Sequence, residues 1–411
     1  MSISPDSLGV AMMRRLDRLA EHTAVPGEMT RLYLTPEHKA AAEEVAAWMQ
    51  AAGMTTRMDA ACTVVGRYDG RTPDAPVLLL GSHIDTVRNG GKYDGNFGVV
   101  AAIQAVDELH RAGERPAFAI EVLAFGDEEG VRFPMTLTGS KAVAGIFDPQ
   151  ALDCTDGNGV SLRRALVDFG GDPDDIARLT RDPASVLGYV ELHIEQGPVL
   201  EGEDLPVGIV TAINGATRAT IGVKGWAGHA GTVPMGMRRD ALTAAAEMIL
   251  GIERRCADQR NLVGTVGRVD VLPGAVNVIP GEVRFTIDVR SPRDDERKAA
   301  VADIFELTDG IAARRALGVT HTVTYDVPAA TCGTELADEL EAAVIRNGIR
   351  PRRLPSGAGH DGLAMVNLCP IAMLFVRCRA GVSHSPAESI TAHDADVAVR
   401  VLIDFLRHFR A

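Results

Sequence analysis

The sequence predicts an α/β protein: a mixed, mostly parallel sheet flanked by helices, with a smaller α+β domain inserted into it. Three observations predict this. Apolar runs of strand length alternate with stretches of helical periodicity along the first part of the chain. One run, AFAIEVLAF at 117–125, is nearly continuous, as expected of a strand covered on both faces. From 211 to 327 the order becomes strand–helix–strand–strand–helix–strand, the split βαβ arrangement of two helices on an antiparallel sheet.

Taken in order, Thr35 and Pro36 are a good N-cap and first-turn pair, opening a helix that stops at Gly53. Strands follow at 63–68 and 76–80, then a helix at 98–113 closed by glycine, then the apolar strand. Residues 148–185 are polar and punctuated by Asp-Pro and Gly-Gly, which predicts short helices and loops; GYVELHIEQGP returns to strand character. In the insertion, strands are expected at 216–225, 262–272, 281–290 and 320–327, and helices at 238–255 and 294–316. The first domain resumes with a helix near 335–346, a strand at 370–376 and a helix at 392–409. The domains are therefore 1–210 with 328–411, and 211–327.

With 411 residues, two domains are expected, and 46 % apolar residues provide for a sizeable core. A formal charge of −13 argues against nucleic acid or a bilayer surface as partner, because phosphates would be repelled. The opening MSISPDSLGVAMMRRLDRL lacks a signal-peptide layout, and no apolar run is long enough to span a membrane. The six cysteines show no CxxC pairing and read as reduced thiols, which predicts a cytoplasmic protein.

The chemistry-bearing residues gather at strand ends. VLLLGSHIDT puts His83 and Asp85 just past an apolar strand, sharing a face, with Asp85 placed to accept the second ring N–H of His83. KYDGNFG puts Asp94 in a glycine loop before a helix, where a short carboxylate can bridge two ions. AFGDEEG ends a third strand with Glu128 and Glu129, ELHIEQG brings His193 to the end of a fourth, and GVSHSPAE places His384 in a loop after a fifth. Open α/β sheets build their sites at such carboxyl ends. Mixed imidazole and carboxylate donors suit Zn²⁺, with Mn²⁺, Co²⁺ or Ni²⁺ as alternatives. No GxSxG elbow or P-loop spacing competes with a metal site. Spacing alone leaves open which of Glu128 and Glu129 does what.

Together GSHIDTVRNGGKYDG, FGDEEGVRFP, ELHIEQGPVLE, GHAGTVPM, NVIPGEVRFTIDVR, LPSGAGHD and GVSHSPAE resemble the carbamoylase–allantoate amidohydrolase branch of the dinuclear zinc peptidase superfamily. The motifs run in family order over nearly the whole chain, and HIEQGP separates the branch from the peptidases. The resemblance implies a zinc aminopeptidase-like catalytic domain carrying a ferredoxin-like lid and dimerisation domain. It implies two divalent ions per subunit, one held by His83, Asp94 and His193, the other by Asp94, Glu129 and His384, with Asp85 supporting His83. Glu128 maps to the general base. His229 maps to a lid histidine that reaches the reacting centre, and Gln196, Asn277 and Arg290 to substrate contacts, Arg290 as a bidentate grip on a carboxylate. His360 is either a substrate contact or structural, and Gly381 offers backbone groups to the substrate. The implied reaction is hydrolysis of the ureido bond of an N-carbamoyl-L-amino acid to the amino acid, CO₂ and ammonia, by water activated between the ions. Allantoate is the rival substrate, and a metallopeptidase or aminoacylase on the same scaffold is the rival class. The remaining expectations are a small ureido acid as ligand, a homodimer through the inserted domain, and closure of that domain over the metals.

Overall fold

The computed structural model describes residues 7–410; the first six residues of the N-terminal segment read above lie outside that range. The chain divides into two units. One takes the chain up to Thr211, then Thr331–Leu354 and everything from Ala358 onward; the other takes Ala212–Ala330 and Pro355–Gly357.

In the first unit four parallel strands form the middle of a nine-stranded sheet, in the spatial order Ala119–Phe125, Val77–His83, Val186–Ile194, Ile371–Val376. Val64–Tyr68 and Thr55–Met58 extend one side in antiparallel fashion, and Val207–Ile213 pairs antiparallel on the other. Every residue of Ala119–Phe125 and Val77–His83 is buried, which is why these strands read as continuous apolar runs. Register pairs His83 with Phe125 and His193 with Phe375, so the functional strand ends emerge along one edge of the sheet.

The helices follow their caps. Thr35 accepts the N–H of His38 and opens Pro36–Ala51; Thr391 accepts that of Asp394 and opens Ala392–His408. Helix Asn96–Arg111 is buried at all twelve positions from Asn96 to Asp107. It touches Val77–His83 and Val186–Ile194, and also Leu8–Ala20 and Ala392–His408.

The buried Arg31 ties the site edge of this unit together. It donates to the carbonyls of Ile84 (2.7 Å), Leu19 (2.7 Å) and His22 (3.1 Å), and to Oδ1 of Asn96. Burial pushes its guanidinium down to about 9 despite the attraction of Asp85. Arg31→Leu leaves four acceptors orphaned and should lower unfolding stability by about 3–5 kcal/mol. Urea denaturation measures this; a loss under about 1 kcal/mol would put Arg31 with ordinary surface substitutions.

Among the described residues, three strands of four or more residues escaped the sequence reading: Thr55–Met58, Val207–Ile213 and Arg353–Ser356. The strand expected to stop at 80 runs on to His83, because the parallel ladder to Ala119–Phe125 continues through the His83–Phe125 pair.

The second unit holds a four-stranded antiparallel sheet in the order Gly318–Val327, Gly215–Lys224, Glu282–Ser291, Val263–Leu272. Two helices, Ala241–Ala257 and Asp294–Arg314, pack on it. Val283, Phe285, Ile287 and Val289 are buried against them, giving the alternation legible in GEVRFTIDVR. A separate ribbon pairs Gly228–His229 with Val278–Ile279. Among the described residues no helix is long and apolar enough to cross a membrane, and all six cysteines are free.

Candidate metal centre

Five segments of the first unit bring imidazoles and carboxylates together. His83 is the last residue of its strand, and its Nε2 lies 3.6 Å from Oδ1 of Asp94. His193 is the penultimate residue of the neighbouring strand Val186–Ile194, and its Nε2 approaches the same oxygen at 3.1 Å. The other oxygen of Asp94 is 3.4 Å from Nε2 of His384, which is 3.4 Å from Oε2 of Glu129. Two groups able to hold an ion therefore share Asp94: His83–Asp94–His193, and Asp94–Glu129–His384. A third combines His83 with Glu128 and Glu129, so both glutamates are within reach of an ion. Glu129 belongs to two groups and Glu128 to one. His83, Asp94 and His193 are buried, whereas the His384 side chain is 52 % exposed, so the site opens on the His384 side.

The backbone explains the convergence. Gly95 has φ +64°, and a Cβ there would fall 2.4 Å from the His83 ring, so only glycine lets the Asp94 loop approach. The chain leaves the sheet after Phe125 through a left-handed residue, Asp127 (φ 67°), and a second one at Gly130 (φ +60°). Gly126, just before the turn, answers a space requirement: a Cβ there would sit 2.5 Å from the Tyr33 ring.

Asp85 works differently from the expectation. Its carboxylate stands 3.6 Å from Nδ1 of His83, beyond hydrogen-bond range, while its main-chain carbonyl is 3.1 Å from that nitrogen. The carboxylate accepts the N–H groups of Glu128 (3.2 Å) and Glu129 (3.3 Å), holding the acidic turn against the His83 strand. Nδ1 of His193 faces the carbonyl of Ile194 at 2.9 Å, which commits its proton there and leaves Nε2 an acceptor, which takes the Gly95 N–H at 3.2 Å.

Burial pushes Asp94 up, but the imidazoles of His193, His384 and His83 set close around it hold it well below the usual carboxylate range. Burial, then Asp94 and Glu128, push Glu129 up to about 8. Burial, opposed by His83 and reinforced by Asp85 and Asp94, pushes Glu128 up to about 7. The hydrogen bond to Asp94 lifts His384 to about 9 against its own burial. Carboxylates in excess, with Oε1 of Glu129 buried and unpartnered, make a site that calls for added positive charge. Imidazole and carboxylate donors in shared groups fit a pair of divalent cations of the Zn²⁺ or Mn²⁺ type.

Of the remaining candidates, Gln196 points its amide nitrogen at Oδ2 of Asp94 (2.7 Å) and at Ser383 (3.1 Å), with its Oε1 buried and unpartnered. His360 is fully buried, edge-on to His193 with ring centroids 4.4 Å apart, so it backs a ligand. Gly381 has φ +66°, and its N–H is directed to the Cys378 carbonyl at 3.4 Å. His229, Asn277 and Arg290 lie in the second unit. The ribbon joins the first two, since Ala230 donates its N–H to the Asn277 carbonyl, and His229 is exposed. Arg290 was read as a grip for a carboxylate ligand. Its fork is bidentate with Asp288, at 2.8 and 2.9 Å, two residues back on the same strand face. Glu388 and Ser383 were missed as site residues. Their only sequence signal was their place beside His384 in the quoted GVSHSPAE.

The sequence profile of peptidase family M20/M25/M40 matches residues 79–408. The chain belongs to that family. Within it, this M20-family chain is 42 % identical to an N-carbamoyl-L-amino acid amidohydrolase of Geobacillus stearothermophilus, over 96 % of this chain and 97 % of that one. It is 40 % identical to an allantoate deiminase of Arabidopsis thaliana, over 95 % of this chain and 81 % of the relative. A solved hydantoinase/carbamoylase family amidase from Burkholderia multivorans superposes with a TM-score of 0.92 at 31 % identity, covering 98 % of each chain. These matches set the M20-family chain among amidohydrolases of non-peptide C–N bonds.

Proposed function

We propose that this amidohydrolase cleaves the ureido C–N bond of an N-carbamoyl-L-amino acid, with Glu128 moving the proton. The observation that carries the reading is Asp94 shared between two ligand groups, with Glu128 beside them and outside the second group. His83, Asp94 and His193 would hold one divalent ion and Asp94, Glu129 and His384 the other. Bound ions supply Lewis acidity, making water acidic and a carbonyl electrophilic near neutral pH.

Glu128 takes a proton from the attacking water and returns it to the leaving nitrogen as the C–N bond breaks. The carbamate so released decomposes to CO₂ and ammonia. Gln196 offers its buried Oε1 to a ureido N–H. The reading gives the developing oxyanion to His229, and the substrate's polar groups to Asn277 and to a backbone group at Gly381. It gives the carboxylate to Arg290, where the substrate competes with Asp288. His360 holds the His193 ring. The same reading takes the enzyme as a cytoplasmic homodimer through the second unit. The six free cysteines support the compartment, and the exposed Val263, Leu272 and Val323 of that unit support the assembly.

Allantoate is the second reading, favoured by the near-equal identity to the Arabidopsis allantoate deiminase. A rate panel under Zn²⁺, Mn²⁺, Co²⁺ and Ni²⁺ separates them. N-carbamoyl-L-amino acids should turn over orders of magnitude faster than allantoate, and dipeptides or N-acetyl-amino acids not at all. The reverse ranking makes the enzyme an allantoate amidohydrolase, and turnover of neither ureido substrate rules out both readings.

A further inference from the structure

We infer that Glu388, through Ser383, is a positioning residue that sets the shared ligand Asp94 and couples it to the His384 loop. The inference rests on Asp94 being a metal ligand, not on the identity of the substrate. Glu388 is 5 % exposed and sits in the loop between His384 and the helix Ala392–His408. Its Oε1 accepts two consecutive main-chain N–H groups, those of Tyr93 (2.9 Å) and Asp94 (3.0 Å). Its Oε2 faces the Ser383 hydroxyl at 3.1 Å. That hydroxyl lies 2.6 Å from Oδ2 of Asp94. One buried carboxylate thus grips the backbone of Asp94 and, through a serine, reaches its side chain.

The approach is built into the chain elsewhere. A Cβ on Gly91 would fall 2.1 Å from Oε1 of Glu388 and 2.5 Å from its Cβ, so only glycine leaves room for this carboxylate. The serine has one proton and two acceptors. When a cation claims the Asp94 carboxylate, Ser383 can turn its proton to Glu388, and no buried donor is left unpaired. Gln196, which also donates to Oδ2 of Asp94, has no second carboxylate among its hydrogen-bond partners.

The test is metal titration of the apo-protein with Mn²⁺ and with Zn²⁺ in chelator buffers, read as ions bound per chain and Kd, alongside the apo-protein's melting temperature. Glu388→Ala should weaken ion binding by roughly 10–100-fold, the range typical of removing a group that orients a ligand. Its kcat should recover at saturating metal. Glu388→Gln keeps an acceptor for both N–H groups and should bind ions within a few-fold of wild type. Ser383→Ala, which leaves the backbone grip intact, should lose affinity without lowering the apo melting temperature. Glu388→Ala that folds and binds two ions with wild-type Kd overturns the inference. If Glu388→Ala does not fold, wild-type Kd in Ser383→Ala overturns it, and weakened binding there upholds it. A wild-type chain that takes up no divalent ion would instead sink the metal assignment itself, a result distinguishable from either.

Discussion

Glu128→Gln should retain both divalent ions and lose about 10²–10⁴-fold in kcat, the contribution of a positioned general base. The substitution is nearly isosteric, and both ligand groups that share Asp94 are complete without Glu128. The N–H of residue 128 still finds Asp85, because that bond belongs to the main chain. The amide cannot take a proton from water, so the loss falls on turnover and not on metal content. Metal analysis with steady-state kinetics decides it. If the variant kept wild-type kcat, the proton carrier would be another group; if it lost an ion, Glu128 would be a ligand, as its group with His83 and Glu129 allows.

Asp94→Ala should abolish activity and drop bound metal below one ion per chain. Its carboxylate supplies both shared groups, each left with two donors when it is removed. His193 would also lose the partner that lifts it against its burial, and His83 one of the carboxylates, after Asp85, that lift it well above its ordinary range. The wild-type protein should melt at higher temperature with metal than without, by the linkage that gives about 4 kcal/mol at a thousandfold excess over Kd. Asp94→Ala should show almost none of that shift. Two tightly bound ions in the variant would remove Asp94 from its bridging place.

The central strands were legible because burial on both faces leaves a near-continuous apolar run, as in Ala119–Phe125. The antiparallel strand Glu282–Ser291 was legible for the opposite reason, a strict alternation. Val207–Ile213 was missed although apolar, since its partners come from Ile371–Val376 and Arg353–Ser356, far along the chain. The ligand types stood out at strand ends, but the order of Glu128 and Glu129 came from the resemblance. What spacing could not reveal is the tertiary closeness of polar partners. Nothing local says that Glu388 meets the backbone of Asp94.

The order of the ligands along the chain has a consequence for biosynthesis. His83, Asp94 and His193 all emerge in the first 194 residues, the two histidines on neighbouring strands and Asp94 in the loop between Val77–His83 and helix Asn96–Arg111. His384 comes 191 residues after His193, after the whole second unit. At a ribosomal rate of about 5–20 residues per second, that gap lasts roughly 10–40 s. Until Ile371–Val376 is made, near the end of that gap, the strand Val186–Ile194 lacks this neighbour, leaving a buried strand as an open edge. A nascent chain could thus take its first cation long before its second, with an ion already seated beside an unfinished sheet.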